Sequence, residues 1–216
     1  MKIIKEDIQE INLSYFLGFI ILINYLFLIL LKEYLITNNI YYDAFEGQLS
    51  LNRINDLISY SKKWSWLSYI ILPVVLFLKI TFTTICLKIG AFFYNFELNL
   101  KQFLRLVILA EIPFILSSLI RIIWFFINSD SLTLKYIQTF YPLSLINLFE
   151  VNNISPYLIY PLQIVNLFEL LHWIILAYLI KIFTNESFDK SFGFVAKTYG
   201  IGLFTWIVLV VFLSIN

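Results

Sequence analysis

Few residues in this chain can do chemistry, and those few sit where charge is costly. The single histidine, His172, follows Glu169 by three residues, and Asn166 precedes Glu169 by the same step, within a long apolar run. Lys79 and Glu111 interrupt two other apolar runs. Ammonium, carboxylate and imidazole groups inside apolar segments serve ion pairing, proton relay or an ion path. Glu-x-x-His is also part of the motif by which helix bundles hold two iron atoms, a site that takes two such pairs and further carboxylates. With one histidine in the chain, no metal and no cofactor is expected. No nucleophile–His–acid set, Gly-rich phosphate loop or metalloprotease pattern occurs, so no enzymatic activity is expected either.

Composition decides what must position these residues. Of 216 residues, 61% are hydrophobic and 13% charged, and the mean hydropathy is +0.86. Soluble domains have roughly half their residues apolar and about a quarter charged. Only lipid hides such an excess, so the bilayer is the first expected partner. Backbone polar groups in lipid must be satisfied within the segment, and the fold class is therefore all-α, a polytopic transmembrane helix bundle. A net charge of +1 gives no reason to expect nucleic acid. Cys86 is alone and excludes an intramolecular disulfide.

Apolar runs place five spans at about 15–31, 66–87, 103–127, 157–183 and 192–213. Ahead of them, Ile3, Ile4, Ile8 and Ile11 sit at helical spacing in a short lead-in helix from Lys2 to Asn12. An amphipathic helix outside the membrane is expected at about 48–61, with Leu49, Leu51, Ile54, Leu57 and Ile58 as its stripe, facing a partner, the bilayer or its own bundle. Residues 88–101 read as a linker. The segment at about 132–150 carries Lys135, Gln138, Pro142 and Asn147, which suit a short re-entrant or interfacial half-helix better than a sixth span. Lys2, Lys5, Lys88, Lys101, Arg105, Lys181 and Lys190 then fall on the amino-terminal side. Lys32, Arg53, Lys62, Lys63 and Lys135 fall opposite. The bias puts the amino terminus in the cytoplasm. Richness in Ile, Lys, Asn, Phe and Tyr suggests a bacterial source, hence a cytoplasmic (inner) membrane.

One ten-residue phrase occurs twice, at Tyr141–Glu150 and again at Tyr160–Glu169, with three positions changed. Each copy opens on Tyr-Pro, and proline suits the first turn of a helix. The first copy is expected to stop at the Asn- and Pro-containing stretch 151–156, and the second to continue as a span to Phe183. Counted at about 1.5 Å per residue, Lys79, Glu111, Glu169 and His172 reach similar depth in the inner half of the bundle. With Asn166 and Gln163 they would form a buried polar seam. Its simpler reading pairs Lys79 with one carboxylate, Glu169 being the favoured partner, while the other bonds a hydroxyl or His172. Its sharper reading is a proton or ion route. Arg121 is expected near the outer interface, free to snorkel.

Leu109-Ala110-Glu111-Ile112-Pro113-Phe114 and Asn166-Leu167-Phe168-Glu169-Leu170-Leu171 carry a resemblance to the Yip (Ypt/Rab-interacting) superfamily of small five-span membrane proteins. The likeness runs over roughly Leu67 to Leu213 and is to the bacterial-type members. It implies a five-helix bundle without catalytic chemistry that acts through protein partners in the membrane. A scaffold or accessory subunit of a transport, secretion or envelope complex is the expected function. A small transporter or permease component is the alternative.

Overall fold

A computed structural model describes residues 2–215; the side chains of Lys2, Ile3 and Ile4 lie outside the described residues. Regular structure among the described residues is helical throughout, as the composition requires. In chain order the helices are α1 (Lys2–Glu10), α2 (Leu13–Leu30), α3 (Asn38–Phe45), α4 (Leu51–Lys63), α5 (Leu67–Tyr94) and α6 (Leu100–Leu109). There follow α7 (Ile112–Ile127), α8 (Leu134–Thr139), α9 (Pro156–Ile164), α10 (Leu167–Thr184), α11 (Phe188–Val195) and α12 (Ile201–Ile215). A wide turn at Leu31–Leu35 prolongs α2, and another at Ala196–Gly200 joins α11 to α12.

Among the described residues five helical segments are long and apolar enough to cross a membrane: Leu13–Leu35, Leu67–Tyr94, Leu100–Ile127, Leu167–Thr184 and Phe188–Ile215. The number agrees with the sequence reading, but several boundaries do not. The second span runs through the expected linker to Tyr94 and stops at Asn95, whose left-handed φ of 53° is a common helix ending. Gly90 therefore lies in a helix, where it meets Thr198 and Phe194 so closely that a Cβ would clash. The fourth span starts at Leu167 instead of Tyr157, because the helix breaks at Val165–Asn166. The third is broken too, between Leu109 and Ile112.

Antiparallel connections gather the amino terminus, the start of α6 and the end of α10 at one end of the bundle. Lys5 Nζ donates to the Phe183 carbonyl at 3.1 Å, capping the end of α10. Arg105 Nη1 donates to the carbonyls of Ile8 (2.7 Å), Ile11 (3.2 Å) and Gln9 at the end of α1. Lys88 Nζ reaches the Leu98 carbonyl at 3.0 Å, and Lys190 lies over the Phe96 ring. Four of the basic residues assigned to one side are thus neighbours at one end.

That end is also where the core sits. Leu87, Phe103, Leu106, Leu176, Ile180 and Phe194 are fully buried there. Towards the opposite end, α9 and α12 bury no residue, and α5 buries none before Ile80. A smaller cluster of Leu35, Ile40, Ile122, Phe125, Leu132 and Ile137 holds α2, α3, α7 and α8 together at that far end. Helix α4 lies beside α3, through Tyr42 Oη to Asn55 Oδ1 at 2.6 Å and the Tyr41–Ser61 hydroxyl pair at 2.9 Å. Ile54 and Ile58 of α4 point inward, while Leu51 remains 69% exposed. The expected amphipathic helix thus rests its isoleucines on its own protein and leaves a leucine edge free.

The segment 132–150 is α-helical over Leu134–Thr139, then turns and makes a short 3-10 helix at Leu145–Leu148. Pro142 starts no helix; it stands in a turn before Leu143, whose φ is +51°. Pro161 does not start one either: Ser155 and Pro156 begin α9, and Pro161 lies inside it. Two earlier residues with the same chemistry pre-empt the expected start. Arg121 does not snorkel, since its Nη2 donates to the Ile137 carbonyl at 2.6 Å and caps α8 from within the bundle.

Candidate functional site

The site is built on two interruptions. At the first, Pro113 has no N–H to offer the Leu109 carbonyl. The Phe114 N–H, which would reach Ala110 in a regular helix, donates to the Glu111 carbonyl at 3.0 Å instead. The Ala110 carbonyl is therefore free at the centre of the protein. His172 from α10 takes it, with Nδ1 at 2.7 Å. A carbonyl only accepts, so Nδ1 carries the hydrogen. His172 is fully buried, and its Nε2 has no partner.

At the second interruption the two copies of the repeated phrase meet. The Leu145 N–H donates to the Val165 carbonyl at 3.0 Å, and the Leu167 N–H donates to the Leu143 carbonyl at 3.1 Å. Ser144 and Asn166 are the paired residues. Asn166 secures the break from its own side chain. Its Oδ1 accepts from the Glu169 N–H at 2.8 Å, and its Nδ2 donates to the carbonyls of Gln163 and Ile164, each at 2.9 Å. Gln163 Nε2 donates to the Thr139 carbonyl at 2.7 Å and to Gln138 at 3.2 Å. The expected polar line of Gln163, Asn166, Glu169 and His172 does not wind along one helix. Its first two members stitch the break and only the last two face the bundle.

Between the interruptions lie the charged groups. Lys79 Nζ is 2.8 Å from Glu111 Oε2 and 3.1 Å from the centre of the Phe114 ring. Glu111 is 2% exposed, whereas the Lys79 side chain is 31% exposed. Glu111 Oε1 is buried without a partner. Glu169 is bound elsewhere: its Oε1 accepts from Tyr199 Oη at 2.8 Å and Trp173 Nε1 at 3.0 Å. The sequence reading preferred Glu169 as the partner of Lys79, and this is corrected. The break places Glu111 at the start of α7, facing α5, while Glu169 turns towards Tyr199 on the last span. The pairing of one carboxylate with Lys79 and the other with a hydroxyl is otherwise as expected.

Of the five expected residues, Lys79, Glu111, Glu169 and His172 stand at the polar centre, whereas Asn166 caps the break before α10. Sequence reasoning missed Tyr199, Trp173 and the Ala110 carbonyl. Trp173 carries a legible signal, four residues after Glu169 and so on the same helical face. Tyr199 and Ala110 carry none, because each depends on how another helix is placed. Rings of Phe114 and Tyr199 stand 5.2 and 5.6 Å from His172 and close the centre around it. Among the described residues no group of three or more His, Cys, Asp or Glu converges as metal ligands would. Glu169 Oε1 and His172 Nδ1 are already committed to other partners.

Comparison with protein-family models, with curated proteins and with solved structures finds no match to the chain. The geometry alone carries the functional reading.

Proposed function

We propose that this integral membrane protein is a non-enzymatic scaffold or accessory subunit of a membrane transport, secretion or envelope complex. In this reading it sits in a bacterial inner membrane with its amino-terminal end in the cytoplasm, and its likeness to the Yip family reflects a shared way of working through partners. One observation carries it: each ionisable side chain described here within the spans' polar centre binds a group of the same protein. Lys79 binds Glu111, Glu169 binds Tyr199 and Trp173, and His172 binds Ala110. These bonds join α5, α7, α10 and the wide turn inside the last span. Their evident work is to hold the bundle. Broken helices at membrane depth are tolerated when protein covers them, and Leu109, Ala110 and Glu111 at the first break are buried. The clustering of Lys5, Lys88, Arg105 and Lys190 at one end supports the cytoplasmic placement of that end.

A second reading has its own observation. Glu111 Oε1 and His172 Nε2 are buried acceptors without donors, and Lys79 is partly open. Buried acceptors usually have partners, so these are places where a proton or water would be held in a permease component. Glu111→Gln separates the two readings. The scaffold reading expects lower yield and thermal stability, and no difference in proton flux between protein-containing and empty vesicles carrying an internal pH-sensitive dye. Flux that depends on the protein and vanishes in a normally folded Glu111→Gln variant would replace it with the second.

A further inference from the structure

At the basic end of the bundle, α2 and α6 part to leave a cavity of about 530 Å³. Its depth is apolar, formed by Leu17, Leu104, Ile108 and Phe183, and its rim carries Lys101 and Arg105. None of the described residues lining it is acidic. From the geometry we infer that this cavity is a binding site for an anionic phospholipid, with the phosphate at Lys101 and Arg105 and an acyl chain lying along Leu17, Leu104 and Ile108.

Three features point to that occupant. Lys101 and Arg105 belong to the first two turns of α6, Leu13 and Ser14 in the lining belong to the first turn of α2, and Phe183 belongs to the last turn of α10. The cavity therefore straddles the level at which spans leave the hydrocarbon, where headgroups lie. The charge of Lys101 is unspent, since it pairs with no described residue, and Asn99 and Gln102 satisfy each other through a reciprocal cap at 2.8 Å each. Arg105 is held in place by the carbonyls that end α1, so a cation is presented without freedom to swing away. Finally, cation above and hydrocarbon below match an amphiphile. A free phosphate would leave the apolar depth unused. Basic pockets between helix ends on the cytoplasmic side are known to select anionic headgroups.

The test uses the full chain purified in detergent and titrated with phosphatidylglycerol, phosphatidylcholine or glycerol 3-phosphate, with bound molecules counted by native mass spectrometry. Phosphatidylglycerol should bind at least 5-fold more tightly than phosphatidylcholine, in line with about 1 kcal/mol for each basic residue near an anionic surface. Lys101→Gln should erase most of that preference, and Leu104→Trp, which fills the cavity, should remove binding of both lipids. Lys62→Gln, at the far end, should change nothing. Equal binding of the two lipids, or an unchanged preference in Lys101→Gln, would overturn the assignment. Glycerol 3-phosphate binding as tightly as phosphatidylglycerol would also overturn it, in favour of a soluble anion.

Discussion

Replacing Lys79 by Met removes the cation and keeps the length of the side chain. What remains is Glu111, 2% exposed, with neither carboxylate oxygen partnered. Breaking a buried pair by removing one member costs about 3–5 kcal/mol, because a buried charge is left uncompensated. One feature places Lys79→Met at or below the lower end of that range: the Lys79 side chain is 31% exposed, so water or headgroups screen part of the original attraction. A loss of about 3 kcal/mol would lower the folding equilibrium constant roughly 150-fold. Glu111→Leu should cost less, since a lysine one-third open can reach solvent by itself. Combining Lys79→Met with Glu111→Leu should restore most of the loss, as apolar replacements of buried pairs are often neutral. Reversible unfolding of the four proteins in detergent, arranged as a double-mutant cycle, measures the coupling. Costs that add to within about 0.5 kcal/mol would mean that the two groups do not interact, and the account of the polar centre would fail.

Two more substitution sets test the neighbouring contacts. Glu169→Leu orphans the Tyr199 hydroxyl and the Trp173 indole together, a loss of roughly 1–3 kcal/mol per donor, whereas Glu169→Gln keeps a carbonyl oxygen in their reach and should cost under about 1 kcal/mol; thermal unfolding of the pair shows whether acceptance or charge is what Glu169 supplies. Gly90→Ala forces a Cβ into Thr198 and should cost roughly 1–3 kcal/mol by overpacking, while Gly193→Ala, with open space at the same test position, should be neutral or stabilise its helix by up to about 1 kcal/mol. Equal unfolding temperatures for the two alanine variants would contradict the packing of α5 on the last span.

The resemblance between the two copies of the repeated phrase shows where local reading loses its hold. Identical Tyr-Pro openings become a turn at Pro142 and a helix interior at Pro161. A proline states only which N–H is missing; whether a helix begins there depends on what precedes it. Before Pro161 lies Ser155-Pro156, which starts the helix earlier. Before Pro142, α8 has already ended at Thr139. Asn166 was legible as a polar residue at depth, yet its role as a cap follows from the break at Val165. That break is stabilised by hydrogen bonds between Leu145 and Val165 and between Leu167 and Leu143, both of which tie it to the first copy of the phrase. Likewise the third span was read as one continuous helix, and neither its break before Pro113 nor the capture of the released Ala110 carbonyl by His172 was legible.

Composition and the length of the apolar runs determined the membrane bundle and the number of its spans, because lipid leaves a backbone almost no alternative to the helix. Depth counting also brought Lys79, Glu111, Glu169 and His172 to one level, since rise per residue is fixed. Which groups join at that level was decided only in three dimensions. A helix sets the height of a side chain by its own geometry, while rotation about its axis is set by packing against neighbours. The two interruptions then re-aim everything beyond them. Hence Lys79 meets Glu111, Glu169 meets Tyr199, and the lone histidine holds the backbone of the broken third span.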